Sequence, residues 1–347
     1  MASLLERKLI VVTGKGGTGK STVACALGLI AARRGLRTIV VELGAQQHMA
    51  DLFAGGETLA ESNLGDELRL QENLWSTSID PDRALIEWLQ TLTGRISARL
   101  LSSSSTFQYF AAAAPGAKEL VSMIRVRELC EGRERSKPVS NGRASDGSAS
   151  DHTPHNNNHR HRLYDLVVLD APATGHALAM LRSPQTFSAI VRVGPLAEQA
   201  GLVRELTEDP RRAGYLAVTH ATDMAVTETL ELEEGLRREL DRDLDAVVVN
   251  GTVPRRFTRE DLSRIAALDV ERIAELDANS EVAQNATRMA GTAYERARVQ
   301  QNQIARLRRQ RFAEGMPPSV MTIPLAFTPA LDLAGVRDIS VQLERKL

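Results

Sequence analysis

Residues 14–22 read Gly-Lys-Gly-Gly-Thr-Gly-Lys-Ser-Thr, and this stretch decides the fold. The apolar run 8–13 before it is typical of a buried β-strand, and the run 23–34 after it predicts a helix. A glycine-rich turn in that context lets backbone N–H groups converge on phosphate oxygens, and the helix N-terminus adds its positive dipole end. The pattern G-x-x-x-x-G-K-[ST], with both flanks correct, therefore predicts a phosphate-binding loop.

The side chains of this loop suggest a nucleotide bound with magnesium. We expect Lys20 to reach the β- and γ-phosphates and the Ser21 hydroxyl to ligate Mg²⁺. A chance lysine in a glycine-rich turn would not account for the strand and the helix on either side. ATP and Mg²⁺ are the predicted ligands, and the loop residues predicted to hold them are Gly14, Lys15, Gly16, Gly17, Thr18, Gly19, Lys20, Ser21 and Thr22.

Strands and helices alternate along the rest of the chain. The alternation predicts an α/β fold with a doubly wound, mostly parallel sheet flanked by helices and with ligand at the carboxyl ends of the strands. We interpret residues 1–347 as one P-loop domain with a helical subdomain inserted at 82–130. The further strands are predicted at 37–42, 75–80, 164–170, 215–219, 246–250 and 319–324. A helix should begin at Pro81, a long one should run from about 281 to 312, and another should close the chain.

Residues 132–162 differ from the rest in composition. They are rich in Arg, Ser, Asn, Gly, Asp and His and contain almost no apolar residue, so we predict a disordered insertion. Four of the seven histidines fall here, at 152, 155, 159 and 161. A metal-binding tract is one interpretation, but a solvated linker fits better because nothing would fix the ligand geometry.

Composition limits the classes of function. The 347 residues are 43% hydrophobic and 25% charged with a net charge of −1, which does not favour binding to nucleic acid. The two cysteines, Cys25 and Cys130, are too few for a disulfide framework and too far apart for a C-x-x-C site. The N-terminus lacks a signal-peptide pattern, and no apolar run approaches the ~20 residues needed to span a bilayer. We expect a cytoplasmic enzyme.

A second motif follows a later strand. Residues 169–176 read Leu-Asp-Ala-Pro-Ala-Thr-Gly-His, and Asp170 ends an apolar run. An acidic residue in that position is expected to hold the Mg²⁺ shell, through water or through Ser21. Gly175 can bring its N–H close to a γ-phosphate because no side chain is in the way. Pro172 belongs to the same predicted nucleotide-binding segment.

These two motifs resemble the ArsA family, which includes the ATPase of the arsenite pump and the guided-entry ATPase for tail-anchored proteins. The family's second motif is D-T-A-P-T-G-H, and Lys15 matches the signature lysine of deviant Walker A NTPases. The resemblance implies that Lys15 crosses a dimer interface to the partner's nucleotide, that Asn250 reads adenine, and that Pro324 flanks the base. It implies a homodimer, or a heterodimer with a paralogue, as in the bacterial branch whose second strand ends in V-E.

The chain also departs from that family. The switch I motif S-T-D-P-A-H-N, whose aspartate orients the attacking water, corresponds here to residues 42–48, with Gly44 in place of the aspartate. Glu42 is the better substitute and Asp51 the other candidate, although a purely structural role for Glu42 is equally open. We therefore predict slow hydrolysis that Glu42→Gln reduces further and Gly44→Asp raises.

Partners and client follow only from the resemblance. Two cysteines cannot supply the three thiolates of the arsenite site, so arsenite transport is not expected. A hydrophobic protein or membrane-protein client is implied, and Phe107, Tyr109, Phe110 and Met123 are candidates for lining its groove, with core packing as the favoured alternative. Two further hypotheses remain: a weakly active regulatory subunit of a heterodimer, and a positioning ATPase of the ParA/MinD type.

Overall fold

The centre of the fold is an eight-stranded sheet. The computed structural model describes residues 4–44, 47–54, 65–93, 116–131, 164–190, 195–272, 280–315, 319–327 and 331–347. The strands are β1 Leu9–Gly14, β2 Thr38–Leu43, β3 Leu68–Gln71, β4 Leu74–Ile79, β5 Leu166–Ala173, β6 Ala213–His220, β7 Ala246–Thr252 and β8 Val320–Pro324. Their order across the sheet is β3-β4-β2-β5-β1-β6-β7-β8.

Helices connect and cover these strands. Those in the described ranges are α1 Lys20–Arg33, α2 His48–Ala54, α3 Pro81–Thr93, α4 Ala117–Glu131, α5 Thr174–Ile190, α6 Pro195–Glu208, α7 Asp223–Leu240, α8 Arg259–Arg272, α9 Ser280–Ala313 and α10 Leu333–Glu344. Every strand pair is parallel except β3 with β4. The predicted doubly wound, mostly parallel α/β sheet is confirmed.

Successive side chains of the strands point to opposite faces of the sheet and pack into two separate hydrophobic cores. In β1, Leu9 and Val11 join the core that contains α4–α7 and α9, whereas Ile10 and Val12 join the core that contains α1 and α10. Such strands are buried on both faces, which is why they read as continuous apolar runs in the sequence. The sheet is therefore a central layer between two layers of helices.

Helix α1 lies very close to the sheet. Residues 23–32 of this helix are all buried, and a Cβ on Gly28 would stand 2.7 Å from Val40 Cγ2 and 3.0 Å from Leu74 Cδ1. A side chain at position 28 would push the helix away from β2 and β4. Because α1 continues directly from the glycine-rich loop, this packing fixes the loop relative to the strand ends.

Strand β3 and Met123 can be compared with the sequence expectations. The antiparallel strand β3 was not predicted; it is a partly exposed edge strand joined to β4 through a turn in which Asn73 has a φ of 58°. Met123 is fully buried in the sheet core, as the favoured alternative to a client groove predicted. Residues 94–115, with Phe107, Tyr109 and Phe110, and the predicted insertion 132–162 lie outside the described residues.

Candidate nucleotide-binding site

A pocket of about 490 Å³ opens at the carboxyl ends of β1, β2 and β5. Strand β5 lies between the other two, so the loops that follow β1 and β2 face each other across it. This is the end of a parallel sheet at which ligands bind. The residues that line the pocket are Lys20, Ser21, Glu42, Leu43, Gly44, His48, Asp170, Ala171 and Pro172.

The loop after β1 depends on glycine at two closely packed positions. Gly14 has a φ of 138°, and a Cβ there would lie 2.1 Å from the Val218 carbonyl oxygen of β6. Gly19 has a φ of 91°, and a Cβ there would lie 2.4 Å from Asn250 Nδ2. Gly19 is also the N-cap of α1 and provides no side-chain cap, so the first amide groups of this helix stay available to an anion.

Hydrogen bonds brace the loop from inside and from β7. Thr18 Oγ1 donates to the Lys15 carbonyl oxygen over 2.8 Å, and Lys20 Nζ reaches the same oxygen at 3.3 Å. Asn250 Nδ2 donates to the Thr18 carbonyl oxygen over 2.9 Å. The base-reading role predicted for Asn250 is thus accompanied by a contact that the sequence did not reveal, a link between β7 and the phosphate loop.

The acidic residue of the second motif contacts the loop directly. Ser21 Oγ donates to Asp170 Oδ2 over 2.5 Å, while Asp170 Oδ1 is buried without a hydrogen-bond partner in the part of the chain described. Glu42 pairs with Asp170 across β2 and β5, and its Oε1 is likewise buried without a described partner. A hydroxyl and two carboxylates with free oxygen atoms are the hard ligands that Mg²⁺ prefers, so the residues present fit the predicted metal.

Burial shifts the protonation equilibria of these groups. It raises the pKa of Asp170 above its usual range, against the lowering effects of the Ser21 hydrogen bond and of Lys20 and His48. It also raises the pKa of Glu42 to about 7, helped by Asp170 and opposed by backbone hydrogen bonds. Burial lowers the pKa of Lys20, which Asp170 partly offsets. The pocket thus carries desolvated negative charge that a cation would stabilise.

The two carboxylate oxygens of Glu42 have different environments. Its side chain is 5% exposed, and its Oε2 accepts a hydrogen bond of 3.1 Å from the backbone N–H of Met49 in the first turn of α2. One oxygen therefore holds α2, while the other is unpartnered. Asp51, the second candidate for orienting water, lies on α2 with an exposed side chain and is not among the pocket residues.

His48 is a pocket residue to which the sequence assigned no role. It begins α2, lines the pocket, and forms no side-chain hydrogen bond to another described residue. Its position is the last of the stretch 42–48 that corresponds to switch I of the resembled family. The correspondence with switch I is the sequence signal that marks this position.

Gly44 has a conformation that resists substitution. Its φ is 138°, its N–H donates to the Ile79 carbonyl oxygen over 3.0 Å, and its own carbonyl oxygen accepts from Ser78 Oγ. An L-residue rarely adopts this φ, so an aspartate here would be strained although the space beside it is open. The expectation that Gly44→Asp simply raises hydrolysis overlooks this strain.

Lys15 does not line the pocket. Its Nζ lies 2.6 Å from Glu228 Oε1 and 2.9 Å from Met224 Sδ, both on α7 of the same chain. Gly175 and Pro324 are likewise absent from the pocket lining. Gly175 is exposed in the first turn of α5, and Pro324, also exposed, pairs with Thr252 at the end of β7, the strand that carries Asn250.

The cysteines do not form a thiolate site. Cys25 is buried in the core on the α1 face of the sheet, whereas Cys130 is buried in the core on the opposite face. Burial raises the pKa of each thiol to about 12. Among the described residues there is no group of three or more His, Cys, Asp or Glu side chains arranged to hold a metal ion.

None of the described helices is both long and apolar enough to cross a lipid bilayer.

Comparisons with known proteins identify relatives that are ATPases. A family model described as "Anion-transporting ATPase" matches residues 7–207, more than half of the chain. The ATPase BagA of Mycobacterium tuberculosis is 27% identical over 272 residues, which cover 76% of this chain and 71% of that protein. A putative arsenical pump-driving ATPase of Halobacterium salinarum is 26% identical, with 72% of this chain and 36% of that protein covered. The ATPase GET3C of Arabidopsis thaliana is 22% identical, with 73% and 69% covered.

Proposed function

The chain belongs to the ArsA, or anion-transporting, ATPase family, and from this premise we propose that it is an ATP-driven dimeric switch. In this proposal two copies, or one copy and a paralogue, close around Mg²⁺-ATP and open after hydrolysis, and the movement handles a hydrophobic protein or membrane-associated client. The family accounts for the ATPase; the dimer, the client and a slow rate are the proposed parts.

The observation that carries the proposal is the convergence of Lys20, Ser21 and Asp170 in one pocket. Lys20 is positioned to neutralise phosphate charge, and the uncapped amide groups of α1 donate to phosphate oxygens. Ser21 and Asp170 would hold Mg²⁺. When bound, the metal would neutralise charge that develops on the phosphate oxygens.

Glu42 is the proposed acceptor for the attacking water. Its unpartnered Oε1 can accept a proton or a hydrogen bond from water, and its attachment to α2 fixes the carboxylate in place. With Gly44 offering no side chain beside it, one buried carboxylate replaces the aspartate of the resembled switch I. We infer slow hydrolysis from this arrangement because Gly44 stands where the resembled switch I has its water-orienting aspartate.

The dimer rests on Lys15. In the proposal this lysine completes the site of the opposite copy, because its own pocket already contains Lys20 and does not include Lys15. Steady-state ATP hydrolysis and light scattering, each with and without Mg²⁺-ATP, test this. We expect ATP to promote dimers, and Lys15→Ala to keep nucleotide binding while losing at least about tenfold in rate, since a removed charge contact to the transition state costs about 1.5–3 kcal/mol.

If light scattering gives the same molecular mass with and without Mg²⁺-ATP, both for the protein alone and for the protein with any paralogue, the dimeric switch is contradicted. Equal rates for Lys15→Ala and the wild type would remove the lysine from the mechanism.

A second candidate function is a regulatory subunit that binds ATP and barely cleaves it. The observation that favours it is Gly44, where the resembled switch I has its water-orienting aspartate. Purified protein with full nucleotide affinity but turnover only in the presence of an active paralogue would support this alternative. The positioning-ATPase hypothesis gains less support, because α10 packs into the core through Val336, Ile339 and Leu343 and is not free to lie on a membrane.

A further inference from the structure

Lys15 is bound at a defined place on its own chain. Its ammonium group forms an ion pair of 2.6 Å with Glu228, and Met224 Sδ lies 2.9 Å away. Residues 15 and 228 are separated by 213 positions, so the contact arises only from the fold. Strand β6 lies beside β1 and leads into α7, which brings the start of α7 next to the phosphate loop.

The acceptor is rigidly placed. Thr222 caps the N-terminus of α7 by accepting the N–H of Ala225, and the inner face of the helix is buried through Val226, Thr229, Leu232 and Leu236. Glu228 therefore projects from a fixed helix surface, whereas Lys15 has a long side chain that can rotate. The side chains of the pair are 35% and 32% exposed, and Met224 is 65% exposed, so a second copy can approach this surface.

The two positions of Lys15 exclude each other. An ammonium group that pairs with Glu228 at 2.6 Å cannot at the same time contact a phosphate in another protomer. An ion pair whose side chains are about one-third exposed is weak and changes an equilibrium by roughly 1.5- to 5-fold, so the charge of a bound nucleotide can outcompete it. Glu228 can hold the lysine without locking it.

We propose that Glu228 is a positioning residue for Lys15 that keeps this lysine on its own protomer until a second, nucleotide-bound copy of the chain draws it across the interface. The inference rests on the proposed dimeric switch. Its consequence is that closure costs one Lys15–Glu228 pair in each copy. Removing Glu228 therefore favours the closed dimer, by about 2- to 30-fold for two pairs, while leaving nucleotide affinity of the monomer unchanged.

The test is sedimentation of the full chain with Mg²⁺ and a non-hydrolysable ATP analogue. We expect Glu228→Gln to lower the dimer dissociation constant by about 2- to 30-fold. Glu231→Gln is the matched control because it lies three residues further on the same helix with an exposed side chain, and it should leave the constant unchanged. Analogue binding at concentrations where the protein is monomeric should be equal in all three proteins.

A double-mutant cycle separates positioning from general charge effects. In a Lys15→Ala background, Glu228→Gln should no longer change the dimer constant. The inference is overturned if Glu228→Gln leaves dimerisation unchanged or weakens it, or if the gain persists without Lys15. A wild-type chain that stays monomeric with the analogue is a different result, since it overturns the homodimeric form of the proposed function and the inference with it.

Discussion

The loops that leave β1 and β2 border the same pocket but differ in how their polar side chains are held. In the β1 loop, Thr18, Lys20 and Ser21 each make a hydrogen bond, and Asn250 braces the loop from β7. In the β2 loop, Glu42 uses one oxygen and His48 uses no side-chain atom among the described contacts. The polar side chains of the first loop are thus engaged in hydrogen bonds within the fold, whereas those of the second retain atoms without a described partner.

The largest effect should come from breaking the β1 loop at Lys20. We expect Lys20→Ala to reduce Mg²⁺-ATP affinity by more than about 100-fold, because removal of one partner from a buried charge contact costs about 3–5 kcal/mol. Isothermal titration calorimetry measures this, with Lys8→Ala as a control on the strand side of the loop. Unchanged affinity would show that the pocket is not the nucleotide site.

Two glycines with the same φ of 138° allow the loops to be compared directly. Gly44→Ala should lower the free energy of unfolding by about 1–3 kcal/mol through backbone strain alone. Gly14→Ala should cost about 1–3 kcal/mol more, because its Cβ would also overlap the Val218 carbonyl oxygen. Chemical denaturation of both variants checks the difference. Equal losses would mean that the β1 loop is no more tightly packed than the β2 loop.

Hydrolysis should depend on the β2 loop through Glu42. We expect Glu42→Gln to lower the steady-state rate by about 10-fold or more, the usual range for a positioned proton acceptor being about 10²–10⁴. Asp51→Asn should have little effect because this side chain is exposed and outside the pocket lining. Rates under saturating Mg²⁺-ATP distinguish the two. The opposite pattern would show that the assumed correspondence of residues 42–48 with switch I is shifted.

The most gradual effect is a pH dependence of stability, which is spread over more than two pH units. The folded-state pKa of Glu42 is raised to about 7 from the ordinary 4.5, so the folded protein binds the extra proton. The stability linked to this group is present below about pH 4.5 and is lost as the pH rises to about 7, by at most about 1.4 kcal/mol per pH unit. The test is the free energy of unfolding of the nucleotide-free wild type and of Glu42→Gln, measured by denaturation from pH 4.5 to 8. The difference between the two proteins should show this slope. A flat difference would mean that Glu42 is not desolvated.

Local patterns in the sequence predicted every strand of the sheet except β3 and several residues that line the pocket. Continuous apolar runs predicted the parallel strands, and the glycine motif with Asp170 predicted the pocket. Strand β3 was not predicted because Leu68-Arg69-Leu70-Gln71 is short, partly exposed and antiparallel, and contains no buried apolar run. The conformation of Gly44 could not be predicted because its φ depends on the surrounding hydrogen bonds and not on the residue type alone.

Long-range contacts could not be predicted from the sequence, for a different reason. The Lys15–Glu228 pair and the Asn250–Thr18 hydrogen bond join residues more than 200 positions apart, and neither has a spacing signal in the sequence. Each depends on strand order, which places β6 beside β1 and β7 beside β6. The order of strands in a sheet follows from packing of the whole chain.

The pairing of Glu42 with Asp170 on neighbouring strands has a consequence for chain length. Because side chains alternate between the faces of a sheet, one inserted residue in β2 or β5 would turn one carboxylate away from the other. Among related genes, length changes should therefore be selected against within β2 and β5, because either change would separate the two carboxylates.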